Sequence, residues 1–313
     1  MRVNEAAAPR FAHGLVSHDG PADFVGRVAP LAEAALSRGD QVTLAVSPAS
    51  EELLRDRLGG ERVSTLTALA PAARGSGQTV AAWRARELRA LCSAGRDVFV
   101  VTEHDAALDG PDGSYWTELE AALNISLGGL PVTQVCGYPQ IPLHQVVADA
   151  ALVNHPLLLR AGELMHNPEH RSPAQVMANL PVAPPELLGP PDVFLRYNTF
   201  ELARVRDAVE DAVRGSELER TRGEDLVLAV NEIATNAVEH GSSQAELFLW
   251  AGPDELVCEL HDEGRLEQPL IGLAPPHPSQ ARGRGTWIAR QLCDALHVWR
   301  DSGGTHVRLL ARA

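Results

Sequence analysis

The sequence predicts two α/β domains in succession. Three observations predict them. Short apolar segments alternate with helix-like stretches from residue 11 to about 150. A proline-rich interruption follows at residues 181–191. After it, the pattern reads helix, helix, hairpin, loop, helix, hairpin. Alternating strand and helix signals argue for a layered α/β domain, and the second order argues for helices on one face of an antiparallel or mixed sheet.

In the first domain, residues 11–16 read as a strand. Phe24, Val28, Leu31 and Ala35 then recur at helical spacing within residues 21–37, with Gly39 as a stop signal. Residues 42–46 form a second strand, 51–58 a helix and 63–66 a weak strand. The strongest strand is Val98-Phe99-Val100-Val101-Thr102, a continuous apolar run suited to a buried parallel sheet. Residues 132–136 form another, and 143–177 are expected to be mainly helical. Five of the eleven residues in PVAPPELLGPP are proline, which cannot donate to helices or central strands, so residues 181–191 read as a stiff linker. The expected domains are therefore 1–180 and 192–313.

In the second domain, Asn198 and Glu201 have capping-box spacing. Leu202, Val205, Val209 and Val213 mark one helical face. A second helix over 223–240 carries Leu226, Val230, Ile233, Ala234 and Ala237 as its apolar stripe and ends at Gly241. Strands over 245–250 and 256–261 flank the turn Gly252-Pro253-Asp254. A loop rich in glycine and proline covers 264–285, a helix 286–295, and strands 298–300 and 305–311 flank Gly303-Gly304.

Bulk properties exclude several function classes. With 313 residues and 45% hydrophobic composition, the chain can build two buried cores, and no apolar run approaches the ~18 residues of a membrane span. The N-terminus MRVNEAAAPRF lacks the apolar region of a signal peptide, so a cytoplasmic location is expected. A formal net charge of −14 argues against general nucleic-acid binding, which needs a basic surface. Cys92, Cys136, Cys258 and Cys293 are far apart and form no Cys-x-x-Cys pair, so they read as reduced, mostly buried thiols. All 27 basic residues are arginine. The absence of lysine excludes a Schiff-base lysine, a Walker A lysine and a protein-kinase strand lysine. Any phosphate must be met by arginine, backbone N–H groups or a metal ion.

Three motifs carry candidate chemistry. In Asn231-Glu232-Ile233-Ala234-Thr235-Asn236-Ala237-Val238-Glu239-His240-Gly241, Glu232 and Asn236 are four residues apart and share a helix face beside the apolar stripe. Oxygen ligands of this kind suit Mg²⁺. In His261-Asp262-Glu263-Gly264, an acid at a strand end can accept a hydrogen bond from an amine, although Asp and Gly also favour ordinary turns. In Gly283-Arg284-Gly285-Thr286, glycines approach a helix start whose N–H groups favour an anion, with Arg282 and Arg284 adding charge.

The order and separation of these motifs resemble the N, G1 and G2 boxes of the GHKL (Bergerat) ATPases, the histidine-kinase-like superfamily. The nearest pattern is that of the RsbW-like anti-sigma-factor serine kinases. The resemblance implies a GHKL α/β sandwich over about 120 C-terminal residues. It implies that Asn236 ligates Mg²⁺, that Glu232 is the catalytic base toward an attacking hydroxyl, and that Asp262 accepts from the adenine amine of ATP with Gly264 beside it. Gly283 and Gly285 would form a phosphate lid with Arg282, Arg284 and Thr286. One departure stands out: the second glycine expected two residues after Gly264 is replaced within Arg265-Leu266-Glu267.

The N-terminal part resembles the MEDS sensory domain, a RecA-like module without a working Walker A motif. MEDS plus ATPase is similar to anti-sigma regulators of the RsbA type. The family implies phosphorylation of a serine or threonine on a STAS anti-anti-sigma partner. The alternative is a catalytically silent nucleotide-binding protein that sequesters a sigma factor or STAS protein. No membrane or direct nucleic-acid partner is expected, and a homodimer is compatible with either reading. A two-component histidine kinase fits least, because Pro168 and Pro173 break the segment holding His166 and His170. The spacing of His13, His18, His104, His144, His155, His166 and His170 matches no metal motif, and they read as ordinary surface or core histidines. Glu103-His104-Asp105, after the strongest strand, is the one sensory-site candidate, since α/β sheets bind ligands at strand ends.

Overall fold

The computed structural model describes residues 10–66, 76–106, 109, 113–140, 144–178, 182, 184–265, 270–277 and 283–313. It divides into two compact units, Met1–Ala70 with Trp83–Asn179, and Pro71–Ala82 with Leu180–Ala313. The sequence pattern places residues 76–82 in the N-terminal domain; in the structure they count with the second unit.

The first unit is built on a seven-stranded sheet with β1 (Ala12–His18), β2 (Gln41–Ala45), β3 (Val63–Thr65), β4 (Val98–Glu103), β5 (Val132–Pro139), β6 (Leu157–Arg160) and β7 (Glu163–His166). The strand order is β3-β2-β4-β5-β1-β6-β7, parallel throughout except for the β6–β7 pair. Every residue of β4 is buried, as its apolar run requires. Helix α1 (Pro21–Arg38) starts on Pro21, where the missing N–H costs nothing, and stops at Gly39 in the left-handed region. It buries Phe24, Val25, Val28, Ala29, Ala32 and Ala35 in the core that also holds Val42, Leu44, Leu54, Phe99 and Val101. Phe24 lies against Gly137 of β5, where a methyl group would overlap the ring. Helices α2 (Pro48–Leu58), α4 (Ser114–Ser126), α5 (Gln145–Asn154) and α6 (Pro173–Ala178), with the part of α3 (Gly77–Cys92) from Trp83 on, complete the unit's described helices.

Residues 143–177 are not mainly helical. Between α5 and α6 the chain makes the β6–β7 hairpin, turning at Ala161 (φ 49°) and Gly162 (φ 85°). Leu157-Leu158-Leu159 has no helical periodicity of its own. Its pairing with β1, Gly14 opposite Leu157 and Leu15 opposite Leu158, decides its conformation.

The second unit holds a five-stranded antiparallel sheet. Its strands are β8 (Val193–Tyr197), β9 (Ala245–Ala251), β10 (Glu255–Asp262), β11 (Ala295–Arg300) and β12 (Thr305–Arg312), in the order β11-β12-β10-β9-β8. Helices α7 (Leu202–Arg214), α8 (Arg220–Asn236) and α9 (Gly285–Leu292) bury Val205, Val209, Leu226, Val230, Ile233 and Ala289 in one core with Leu247, Leu249, Leu256, Leu260, Val298 and Leu309 of the strands. The Asn198 side chain accepts from Phe200 N at 2.9 Å and opens the approach to α7. Parts of the proline-rich stretch pack on this unit. Arg308 donates to Glu186 O (2.7 Å) and the Trp250 indole to Gly189 O (3.1 Å).

Arg290 of α9 is 2% exposed. It donates through Nε to Ile271 O (2.8 Å), through Nη1 to Leu296 O (2.9 Å) and through Nη2 to Gln78 Oε1 (2.6 Å), all inside the second unit. Arg290→Leu leaves three acceptors, two of them buried, without this donor. Hydrogen bonds to a charged group contribute about 1.5–3 kcal/mol each and are not additive, so a loss of about 2–4 kcal/mol is expected. Urea unfolding of the second unit's tryptophans checks it; an unchanged midpoint would show that the three bonds add nothing.

Candidate functional site

The site grows from the end of α8. The apolar stripe Leu226, Ala229, Val230, Ile233 and Ala234 buries one side of the helix, which leaves Glu232 and Asn236 half-buried at its edge. The helix does not end at Asn236. Ala237–Gly241 continues it as a single π-helical turn, a widening often found at functional sites. This turn brings His240 and Gly241 against the end of β10.

Asp262 occupies that strand end and is 8% exposed. Its Oδ1 accepts from Gly264 N at 2.7 Å, and Gly264 O accepts from Thr305 Oγ1 at 2.9 Å. Three glycines make room around Asp262, two beside its carboxylate and one beside its backbone carbonyl. A Cβ on Gly241 would overlap Asp262 Oδ1, one on Gly264 would overlap Gly241 Cα, and one on Gly304 (φ 146°) would overlap Asp262 O. Burial pushes the Asp262 carboxyl above its usual range, and the Gly264 N–H offsets this in part. The charged form is thus under-solvated, and a hydrogen-bond donor arriving in the cleft would relieve it.

Opposite Asp262 stands the start of α9. Asn236 Nδ2 lies 3.4 Å from Thr286 Oγ1. A Cβ on Gly285 would meet Glu232 Oε2 at 2.6 Å and Asn236 Nδ2 at 3.3 Å, so this glycine lets the helix start close on the two α8 side chains. Gly283 has φ 82°, in the region glycine favours.

Asn236, Asp262, Gly264, Gly283, Gly285 and Thr286 line one cleft. Its walls are apolar: Ile233, Ala237, Leu260, Ile271, Val298 and Val307. An apolar slot with a few convergent polar groups is the usual form of a small-molecule site. Glu232 stands behind Gly285 at the rim and does not line the cleft itself. Arg284 is exposed and also lies outside the lining. Arg282 falls outside the described residues. Asn231, part of the same sequence motif, points away and accepts from Arg206 at 3.0 Å. His240, Arg265 and Thr305 line the cleft, although the sequence motifs give none of them a role there. The glycine pair before Thr305 is a signal for the last of these.

In the first unit, the sequence's sensory candidate forms a buried contact. His104 Nε2 lies 2.6 Å from Asp109 Oδ1, and Glu103 Oε2 accepts from Ser47 Oγ at 2.7 Å. His18, at 3.8 Å from Glu103, joins them. Among the described residues, no helix is long and apolar enough to cross a membrane.

The fold and cleft of the second unit define a class, and the family comparison agrees: residues 198–310 match the histidine kinase-like ATPase domain. Residues 12–156 match the sensory domain described as methanogen/methylotroph, DcmR (MEDS). The chain thus carries an N-terminal MEDS domain and a C-terminal histidine kinase-like ATPase domain. Among solved structures it is similar to the RsbU and RsbW domains of Rv1364c from Mycobacterium tuberculosis, at 20% identity over 39% of this chain and 33% of that chain, with a TM-score of 0.27. It is also similar to the catalytic domain of the histidine kinase ThkA, at 14% identity over 38% of this chain and 95% of that chain, with a TM-score of 0.25. The chain spans about a third of the length of the mycobacterial chain it matches. A search of curated proteins finds no match.

Proposed function

We propose that this protein is an anti-sigma-type regulator whose C-terminal domain binds ATP with Mg²⁺ and phosphorylates a serine or threonine on a STAS-domain partner. The observation that carries the reading is convergence: Asp262, Asn236 and the glycine-flanked start of α9 meet on one apolar-walled cleft. Asp262 would accept from the adenine amine, and the α9 start with Gly283, Gly285 and Thr286 would face the phosphates, aided by Arg282 and Arg284. The donor set fits the metal. Asn236 turns its Nδ2 to Thr286, which leaves the carboxamide oxygen for a hard cation. Bound Mg²⁺ would supply charge neutralisation at the phosphates. Glu232 would receive the proton of the attacking hydroxyl.

Titration calorimetry of the full chain with ATP and ADP tests the binding step. Asp262→Asn replaces a pure acceptor by a group that also presents N–H donors to the adenine amine. It is expected to weaken binding about tenfold or more, the effect of leaving a buried donor unpaired. No heat and no thermal shift at millimolar nucleotide for the unmutated protein would end the reading.

A second reading is a nucleotide-binding partner-switching protein that transfers nothing. Arg265 at the cleft, in the segment where a second glycine is expected, favours it. Labelled ATP with STAS proteins separates the two: tight partner binding without phosphate transfer selects the silent binder.

A further inference from the structure

The first unit buries four side chains whose ligand atoms face one another. His13 comes from β1, Glu120 from α4, Cys136 from β5, and His155 from the residue after α5. All four residues are at most 2% exposed. Their ligand atoms lie within 4.8 Å of one another. His13 Nε2 is 3.3 Å from Cys136 Sγ and 3.1 Å from Glu120 Oε2, and His155 Nε2 is 3.8 Å from the same oxygen. Around a tetrahedral zinc ion, bond lengths of about 2.0–2.3 Å place neighbouring ligand atoms about 3.3–3.8 Å apart.

The surrounding residues settle which atom of each side chain faces inward. His13 Nδ1 is 2.9 Å from Asn124 Oδ1, so it carries a proton, and Nε2 is the ring atom turned to the cluster. His155 Nδ1 donates to Ala151 O at 2.6 Å, with the same result. Tyr138 OH donates to Glu120 Oε1 at 2.7 Å, and Gln134 Nε2 lies 3.1 Å from Cys136 Sγ. Metal-bound histidines are usually held this way by their second nitrogen. The inner atoms are less well served. Glu120 Oε2 and His155 Nε2 are buried without a hydrogen-bond partner: His155 Nε2 stands 3.8 Å from that oxygen, beyond hydrogen-bond reach, and His13 Nε2 approaches it at ion-pair distance only. Orphaned buried groups of this kind cost free energy unless something occupies the space between them.

Charge points the same way. A thiolate and a carboxylate balance one dication, and the two imidazoles then remain neutral. Arg84, also buried, adds positive field and favours both anions.

We propose that His13, Glu120, Cys136 and His155 form a closed, four-coordinate site for a zinc-class divalent transition metal in the N-terminal unit. The mixed N, S and O donors suit Zn²⁺ over Mg²⁺ or Ca²⁺. With four protein ligands and no open position, the site would hold the metal structurally or as a sensing element and would not activate water.

The test uses the full chain, produced with zinc supplementation, dialysed and gel-filtered. Mass spectrometric metal analysis is expected to give about one zinc per chain. Stripping with a chelator and refilling with Co²⁺ should produce visible d–d bands of tetrahedral cobalt and a thiolate-to-cobalt charge-transfer band. Cys136→Ser should abolish the charge-transfer band and His155→Ala should cut retained metal about tenfold or more, while Cys258→Ser, in the other unit, keeps both. Asn124→Ala, which frees the His13 ring, should lower affinity about 10–100-fold. A folded unmutated protein with almost no bound metal and no cobalt band would overturn the proposal and leave a dry imidazole–thiol–carboxylate cluster. Full zinc retention in folded Cys136→Ser and His155→Ala would overturn it equally. If those variants fail to fold, the unmutated protein's metal content and cobalt spectrum decide between the two outcomes.

Discussion

Glu232→Ala is expected to lower phosphoryl transfer to a STAS partner by about 10²–10⁴-fold, the usual contribution of a positioned general base. ATP affinity should change little. Glu232 lies behind Gly285 at the rim, outside the lining of the cleft, whereas Asn236, Asp262 and the α9 start form that lining. Asn236→Ala should lose binding and transfer together, because its carboxamide sits between the cleft and Thr286. The split between affinity and rate is the informative readout. A Glu232→Ala protein that phosphorylates as fast as the parent rules out the base assignment. Affinity lost in step with rate would make Glu232 a binding residue instead.

Gly241→Ala is expected to weaken nucleotide binding about 5- to 150-fold. A methyl group there overlaps the Asp262 carboxylate, whose Oδ1 is already committed to Gly264 N. Retreat along the strand is blocked, because Gly304 packs on Asp262 O. Inserting a methyl into such a site costs about 1–3 kcal/mol, which converts to that range of affinity. Gly215→Ala, where an added Cβ meets ordinary contact distances of 3.6 Å or more, is the control and should leave binding intact. Equal affinities for parent, Gly215→Ala and Gly241→Ala would place the nucleotide away from Asp262.

The second domain was legible because its motifs are local. Helix α8 carries both its apolar stripe and its polar edge within a single period of about 3.6 residues, so Glu232 and Asn236 could be placed from spacing alone. Asp262 and Gly264 fall at a strand end that the alternation of β10 announces. The outward turn of Asn231 and the inward one of Arg265 were not legible, since they depend on α7 and on the loop after β10. Strand β8 was missed because Val193–Tyr197 is short and follows prolines; pairing with β9 makes it a strand. In the first domain, α3 and α4 lack an apolar face clean enough to stand out, since α4 is buried on nearly all sides. The hairpin β6–β7 is set by its partner β1. The His13, Glu120, Cys136 and His155 cluster escaped for a related reason. Metal-motif rules look for ligands a few residues apart, and here neighbouring strands of a parallel sheet bring together residues far apart in sequence.

That strand order also sets a timetable for synthesis. Strand β1 is made first, yet both its neighbours come late: Ala12 pairs with Thr133, and Gly14 pairs with Leu157. Strands β2, β3 and β4 can associate earlier, while β1 waits with both edges open until β5 and β6 have left the ribosome. At about 5–20 residues per second the wait lasts roughly 6–24 s for β5 and 7–29 s for β6. Long-range parallel pairing of this kind is slow, and an unpaired apolar strand invites aggregation in the interval. The sheet of the N-terminal unit therefore closes late, and Ala12–His18 is the strand that waits for it.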